Sequence, residues 1–169
     1  MKLAAITTSL VAAAFAVAAP GQAGAVTTDS GVWASPTLTV RVVDEAAWAG
    51  TDVAGALEQW APAMRMTLTD GDADVTLDAA PATGELAGAT AYRATVHGVI
   101  QSCRVDLSEN LSGRDMTAVL THELGHCLGL DHTAVGTEAP TVMWRAAYGP
   151  HFSSTVTATD LDNVRNLHR

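Results

Sequence analysis

The chain has 169 residues, of which 48% are hydrophobic, and its 18 acidic and 9 basic residues give a net charge of -9 at pH 7. This length is enough for one domain with its own hydrophobic core. The acidic balance excludes nucleic acid and anionic membrane surfaces as partners of the mature chain. A single acidic domain is therefore expected. A monomer is taken as its default state in solution.

The first residues have the pattern of an export signal. Lys2 supplies a positive start, Leu3 to Ala19 is a run of small and apolar residues, and Ala23-Gly24-Ala25 is a small-residue cleavage site. Residues 1–25 are predicted to be a signal peptide, cut after Ala23 or Ala25, and residues 26–169 a single secreted catalytic domain. A membrane anchor is the alternative, disfavoured because the apolar run is short, alanine-rich and followed by the cleavage site.

Apolar periodicity predicts alternating strands and helices along the rest of the chain. In order, these are a strand at Pro36–Val43, a helix between Glu45 and Trp60, strands at Met66–Leu68, Val75–Leu77, Ala89–Ala94 and Val99–Leu107, a helix at Met116–Leu128, and a short helix at Asp160–His168. Strands and helices in this order predict an α/β (α+β) architecture, with a mixed sheet and helices packed against it.

The second predicted helix carries the motif H-E-x-x-H-x-x-G-x-x-H, beginning at His122. His122 and His126 are four residues apart, so they project from the same face of a helix. Gly129 stands where a left-handed turn would end the helix and let His132 close the site. Three neutral imidazoles leave one position of a zinc ion open, as in catalytic zinc sites.

This pattern predicts hydrolysis by a water molecule activated on one zinc ion. Glu123 is offset from the histidine row, so it is predicted to act as general base and then to protonate the leaving group. A structural metal or an inactive site is the alternative reading. The complete residue set favours catalysis.

Downstream, Pro140-Thr141-Val142-Met143-Trp144 places a methionine in a predicted turn. With the histidine motif, this segment makes the chain resemble the metzincin zinc endopeptidases, and Thr133 after the third histidine resembles the serine of the matrixins. The resemblance extends from Ala46 to Leu167. It implies a metzincin-type zincin fold, with a mostly parallel twisted sheet, two main helices and a short C-terminal helix.

The resemblance also implies roles for residues around the zinc. Met143 would form a hydrophobic floor beneath the metal, and Tyr148 the wall of the pocket for the side chain after the cut bond. Gly88 to Ala94 would be the sheet edge that binds an extended peptide or protein substrate. A buried methionine in ordinary core packing and a buried aromatic are the structural alternatives for Met143 and Tyr148.

Cys103 and Cys127 are the two cysteines of a chain predicted to be exported, so a disulfide between them is expected. It would join the metal-binding helix to the sheet. The alternative is a free Cys127 thiol that ligates or regulates the zinc, disfavoured because the side chain turns about 100° away from His126 on a helix.

The remaining histidines, His97, His151 and His168, lack partners at ligand spacing and are interpreted as ordinary polar residues. Asp70 to Asp74 contains three aspartates, but the sequence after it does not continue a calcium-binding loop. A solvated turn is therefore preferred there over a calcium site, and a single zinc is expected. The predicted function is that of a secreted zinc endopeptidase. The alternatives are a zinc-binding module that cleaves little and a peptidase with one cellular target.

Overall fold

The structure is a computed structural model that describes residues 31–80, 89–108, 114–133, 139–145 and 149–169. Three predictions fall wholly or partly outside these residues. They concern the signal peptide at 1–25, Tyr148 as a pocket wall, and Gly88 at the start of the substrate-binding edge. The histidine motif, Met143 and both cysteines lie within the described part.

The described residues form six strands and three helices. Five of the strands and all three helices follow the predicted order, and the short first strand was not predicted. The strands are β1 (Val32–Trp33), β2 (Thr37–Val42), β3 (Arg65–Leu68), β4 (Val75–Ala80), β5 (Ala89–Val96) and β6 (Val99–Ser108). The helices are α1 (Val53–Trp60), α2 (Arg114–Cys127) and α3 (Ala158–Leu167). The predicted mixed, mostly parallel α/β fold is confirmed.

All six strands belong to one sheet, in which β3, β2, β4 and β6 follow one another in parallel. The short β1 also pairs in parallel with β6, at Val99 and Ile100, where β4 does not reach. β5 runs antiparallel to β6 over nearly its whole length, so it occupies the opposite edge of β6.

A tight hairpin connects β5 to β6 through His97 and Gly98. Both residues have positive φ angles, 52° and 77°. Two consecutive positive φ values are typical of the two-residue turn that matches the right-handed twist of paired strands. His97 is therefore a turn residue at the end of this hairpin.

The first helix, α1, is shorter than the range from Glu45 to Trp60 in which the sequence predicts it. α1 begins at Val53, because the Asp52 side chain accepts the backbone N–H of Gly55 at 2.8 Å and caps the helix there. Leu57 and Trp60 are buried as predicted, and Val53 packs against the edge of the core. Trp60 also donates its indole N–H to the Thr121 carbonyl of α2 at 3.0 Å, which ties the two helices together.

The core lies between the sheet and α2. The predicted inward residues of the second helix, Leu120, Leu124 and Leu128, are completely buried, and Leu128 directly follows the last residue of α2. These leucines belong to the same core cluster as fully buried sheet residues such as Val40, Val75 and Val105. α2 is thus held along its length by apolar packing, so side chains projecting from it have a rigid base.

The predicted disulfide is present. Cys103 of β6 and Cys127 at the end of α2 are bonded, with their Cα atoms 5.6 Å apart. The alternative of a free Cys127 thiol at the metal is therefore wrong. Within the described part of the chain, no helix has the length and apolar character needed to cross a bilayer.

Candidate active site

The end of α2 is closed by a turn that prepares the site. Gly129 has φ 96°, the left-handed conformation that the sequence predicts. The N–H of Leu130 bonds to the Gly125 carbonyl and the N–H of Gly129 to the His126 carbonyl, both at 3.0 Å. This pair of bonds is the Schellman motif, which satisfies the last carbonyls of a helix and reverses the chain. The reversal carries His132 back toward α2.

The structure brings the three motif imidazoles together at their Nε2 atoms. Nε2 of His122 lies 3.1 Å from that of His126 and 3.2 Å from that of His132, and the remaining pair is also 3.2 Å apart. His122 and His126 are buried, whereas His132 is half-buried. The three nitrogens therefore form a nearly equilateral triangle that reaches the surface on the His132 side.

Backbone carbonyls determine which nitrogen of two rings carries the proton. Nδ1 of His122 donates to the Val142 carbonyl at 2.6 Å, and Nδ1 of His126 donates to the Leu130 carbonyl at 2.8 Å. A carbonyl oxygen has no proton to give, so the hydrogen must lie on Nδ1 in both neutral rings. Both Nε2 atoms then present lone pairs to each other, an arrangement that a cation between them would stabilise.

The size of the triangle fits zinc. A tetrahedral ion with Zn–N bonds of about 2.0–2.1 Å separates its ligand nitrogens by about 3.3 Å. The observed separations of 3.1–3.2 Å lie close to that value. Among the described residues, these three histidines are the group of potential ligands whose side-chain atoms lie close enough together to hold a metal ion.

Burial keeps two of these rings neutral. Desolvation lowers the pKa of His122 from 6.5 to about 4, although the hydrogen bond to Val142 and the Asp160 carboxylate favour protonation. Desolvation, assisted by the positive charge of Arg145, also lowers the pKa of His132 to about 4. Neutral imidazole is the form that binds metals, so these rings are prepared for a metal at neutral pH.

Glu123 is buried within α2, directly after His122. The residue has no exposed surface, and both carboxylate oxygens are shielded from bulk solvent. One residue along a helix turns the side chain by about 100°, so the carboxylate leaves the row formed by His122 and His126. Helix geometry therefore places Glu123 outside the histidine row, on the same turn of α2 as His122.

Met143 lies against α2 between the two helical histidines. It is 1% exposed, and a Cβ built on Gly125 would overlap its sulfur and lie 3.0 Å from Trp60. Only glycine allows such close approach, so Gly125 and Met143 fit as a pair. The Met143 carbonyl accepts the N–H of Thr133 at 3.0 Å, which ties the turn to the residue after His132.

Asp160 is a residue of this region that the sequence analysis missed. It is completely buried at the start of α3, and its carboxylate accepts the backbone N–H of Val142 at 3.1 Å and the hydroxyl of Thr141. The spacing of Thr157 and Asp160 is a capping-box pattern that could have predicted the helix start. No local pattern could have predicted the contact with Val142.

The remaining histidines and the aspartates between Asp70 and Asp74 lie away from the triangle. His151 packs against Trp144 in an edge-type contact with ring centroids 4.9 Å apart, and Nε2 of His168 donates to the Leu128 carbonyl at 3.0 Å. Asp70 and Asp72 are exposed in a turn, and the Asp74 carboxylate accepts the N–H and hydroxyl of Thr39. These side chains therefore have structural partners or solvent around them.

Three histidines from a helix and its following turn, set over a mostly parallel sheet, define the metzincin-like class of metal site. Comparison of sequences assigns the family within that class. The matrixin family model matches residues 58–169, which are 112 of the 169 residues, and the chain belongs to the matrixin family. Membership identifies the domain as a zinc metallopeptidase in general.

Comparison of folds finds a similar solved structure. The structure is similar to a chain of the "GM1 bound form of the ECX AB5 holotoxin", with a TM-score of 0.57 and 15% sequence identity over 80% of this chain and 81% of that one. At this identity the likeness concerns the fold alone. A search of curated proteins found no significant match.

Proposed function

We propose that this protein is a secreted zinc endopeptidase in which Glu123 is the general base. The observation that carries the proposal is the triangle of Nε2 atoms at 3.1–3.2 Å, with the protons of His122 and His126 held on the opposite nitrogen. A chain of the matrixin family with this donor set has the ligands that a catalytic zinc ion requires.

In this proposal His122, His126 and His132 hold one zinc ion. When bound, the ion supplies a Lewis acid for the scissile carbonyl and lowers the pKa of water toward neutrality. Two of the ligands are oriented by backbone carbonyls, which raises their donor strength and limits their rotation. The half-buried side of His132 is the side from which a peptide would approach.

Glu123 would move the proton. Its carboxylate takes a proton from the attacking water and delivers it to the amine of the leaving peptide. Its position directly after His122 on α2 supports this role, because it brings the carboxylate close to a residue that would hold the ion. Met143, packed against Gly125, would fix the position of the α2 turn that lies between His122 and His126.

The substrate would bind as an additional strand on β5. This strand pairs with β6 along one edge, and no other described strand pairs with its second edge. An unpaired edge offers backbone N–H and carbonyl groups to an extended peptide. We therefore assign an extended peptide or protein as substrate, bound by a monomer of this domain.

Secretion is supported by two independent features. The first is the leader-like sequence at residues 1–25, with its small-residue cleavage site. The second is the disulfide between Cys103 and Cys127, since such bonds persist in oxidising compartments. Culture supernatant is where the processed protein should be found.

The experiment that tests the proposal is the substitution Glu123→Gln. We expect the variant to retain one zinc per chain and its peptide affinity while hydrolysis falls by about 10²–10⁴-fold, because an amide accepts no proton. Glu58→Gln is the matched control, since Glu58 is exposed on α1, and it should hydrolyse peptide at the wild-type rate.

Undiminished hydrolysis by Glu123→Gln would contradict the role of this carboxylate. If the wild-type protein bound zinc and peptide without cleaving the peptide, the proposed function would be that of a binding module and not of a peptidase. Cleavage confined to one protein among many tested would instead indicate a peptidase with a single cellular target.

A further inference from the structure

We infer that Asp160 is a positioning residue for the proposed metal ligand His122, acting through the peptide group of Val142. The inference rests on the proposed zinc site and concerns a residue 38 positions away from the histidine in sequence. It adds a buried carboxylate to the set of groups that determine metal affinity.

Consecutive hydrogen bonds join the Asp160 carboxylate, the backbone of Val142 and the His122 ring. The Asp160 carboxylate accepts the N–H of Val142 at 3.1 Å. The carbonyl of the same residue accepts the Nδ1 proton of His122 at 2.6 Å. Each bond polarises the next in a row of this kind, so negative charge on Asp160 strengthens the bond at His122. A histidine ligand held this way is oriented and becomes a stronger donor.

Asp160 also determines the shape of the turn that presents the Val142 carbonyl. Its second oxygen accepts the hydroxyl of Thr141, and that hydroxyl oxygen in turn accepts the N–H of Met143 at 3.0 Å. Both neighbours of Val142 in the turn are thereby tied to one carboxylate. All of these groups are buried, so water does not compete for the bonds.

Capping of α3 does not by itself explain this arrangement. Asp160 does complete a capping box with Thr157, whose N–H and hydroxyl reach the carboxylate at 2.9 and 2.7 Å. A cap needs only those contacts, which can be made at a helix end on the surface. The carboxylate is instead completely buried and makes two further contacts with the methionine turn.

The test compares Asp160→Asn with Thr157→Ala by competition with a chromophoric chelator for zinc at pH 7. Asp160→Asn keeps the size of the side chain and removes its charge, and we expect zinc affinity to fall about 10–100-fold. Thr157→Ala removes the other half of the capping box. It should lower the thermal midpoint while leaving zinc affinity at the wild-type value.

Thr141→Val provides an independent arm in case Asp160→Asn does not fold. It removes the hydroxyl that joins Asp160 to Met143 and leaves the α3 cap intact, so zinc affinity should fall. The Met143 N–H and one Asp160 oxygen then lose a buried partner, so the melting midpoint of the metal-free protein should fall as well. In the peptidase assay, the folded variants Asp160→Asn and Thr141→Val should show a lower kcat at an unchanged KM.

Equal zinc affinities for the wild type, Asp160→Asn and Thr141→Val would overturn the inference and leave Asp160 as a helix cap. If Asp160→Asn does not fold, a wild-type zinc affinity measured for Thr141→Val would by itself overturn the inference. Absence of peptide hydrolysis in the wild type would contradict the proposed function, while the zinc measurements would still decide the role of Asp160.

Discussion

The imidazoles of His122 and His126 owe their lone pairs at Nε2 to two backbone carbonyls, those of Val142 and Leu130. Each carbonyl belongs to a different turn after α2. The metal-binding capacity of the helix therefore depends on residues outside it, and the spacing of the motif alone does not determine which nitrogen of each ring is available.

The lowered pKa values of His122 and His132 predict how the metal-free protein responds to acid. The unfolded chain binds a proton on each ring near pH 6.5, whereas the folded chain does so only near pH 4. The unfolded state therefore binds more protons between these values, and stability falls as pH falls. Urea unfolding in the presence of a chelator should give a lower free energy of unfolding at pH 5 than at pH 6.5.

Unfolding free energies that stay constant or increase from pH 6.5 to pH 5 would contradict the burial of two neutral imidazoles. The window lies above the ordinary pKa of Asp and Glu, so carboxylates contribute little to the slope there. Substituting Asn for His132 should reduce the slope, because only one of the two shifted rings remains.

At the scale of elements, α2 works as a site only together with the turn that ends it. Gly129 allows the left-handed turn, the turn aims the Leu130 carbonyl at His126, and the chain then returns with His132. The β-carbon of any other residue at Gly129 would also meet the carbonyl of Gly31 at 2.7 Å. This one position couples helix termination, ring orientation and backbone packing.

Gly129→Ala should therefore destabilise the fold by at least about 1–2 kcal/mol, the cost of a left-handed alanine. The contact with Gly31 adds to that cost, and displacement of Leu130 should weaken zinc binding. Chemical denaturation and zinc competition measure the two effects. Gly71→Ala is the matched control, because its nearest neighbour would be 3.7 Å away. Equal stability of the two variants would contradict the role given to this turn.

Sequence reasoning predicted the elements whose information is local. The periodicity of Leu120, Leu124 and Leu128 and the position of Gly129 are properties of one short segment, and the structure agrees with both. The contact between Asp160 and Val142 joins segments that are separate in sequence, so no spacing rule indicates it. The placement of β1 and β4 along the same edge of β6 likewise depends on the register of distant strands.

At the scale of the whole molecule, one sheet supports the site from below and a disulfide ties α2 to it. Cys103 lies in β6, which pairs with three other strands, and Cys127 follows His126 directly. Trp33 of β1 adds a second tie by donating its indole N–H to the Cys127 carbonyl at 2.8 Å. The end of α2 is therefore fixed at the residue next to a proposed zinc ligand.

Replacing both cysteines by alanine should lower the free energy of unfolding by about 3.5 kcal/mol, because the unfolded chain regains the entropy that the closed loop had removed. The bond spans a sequence separation of 24 residues. Guanidinium unfolding of the wild type and the double variant, both without metal, measures the difference. Equal stabilities would show that the bond contributes nothing to the fold beyond packing.

The most direct test of the central proposal is hydrolysis of casein by the purified mature chain, with a chelator and then with zinc restored. We predict that cleavage stops when the metal is removed and returns with one zinc per chain, because the three imidazoles present their Nε2 atoms at separations that suit this ion. Cleavage that continues in the metal-free protein, or its absence in the fully zinc-loaded protein, would contradict the proposal.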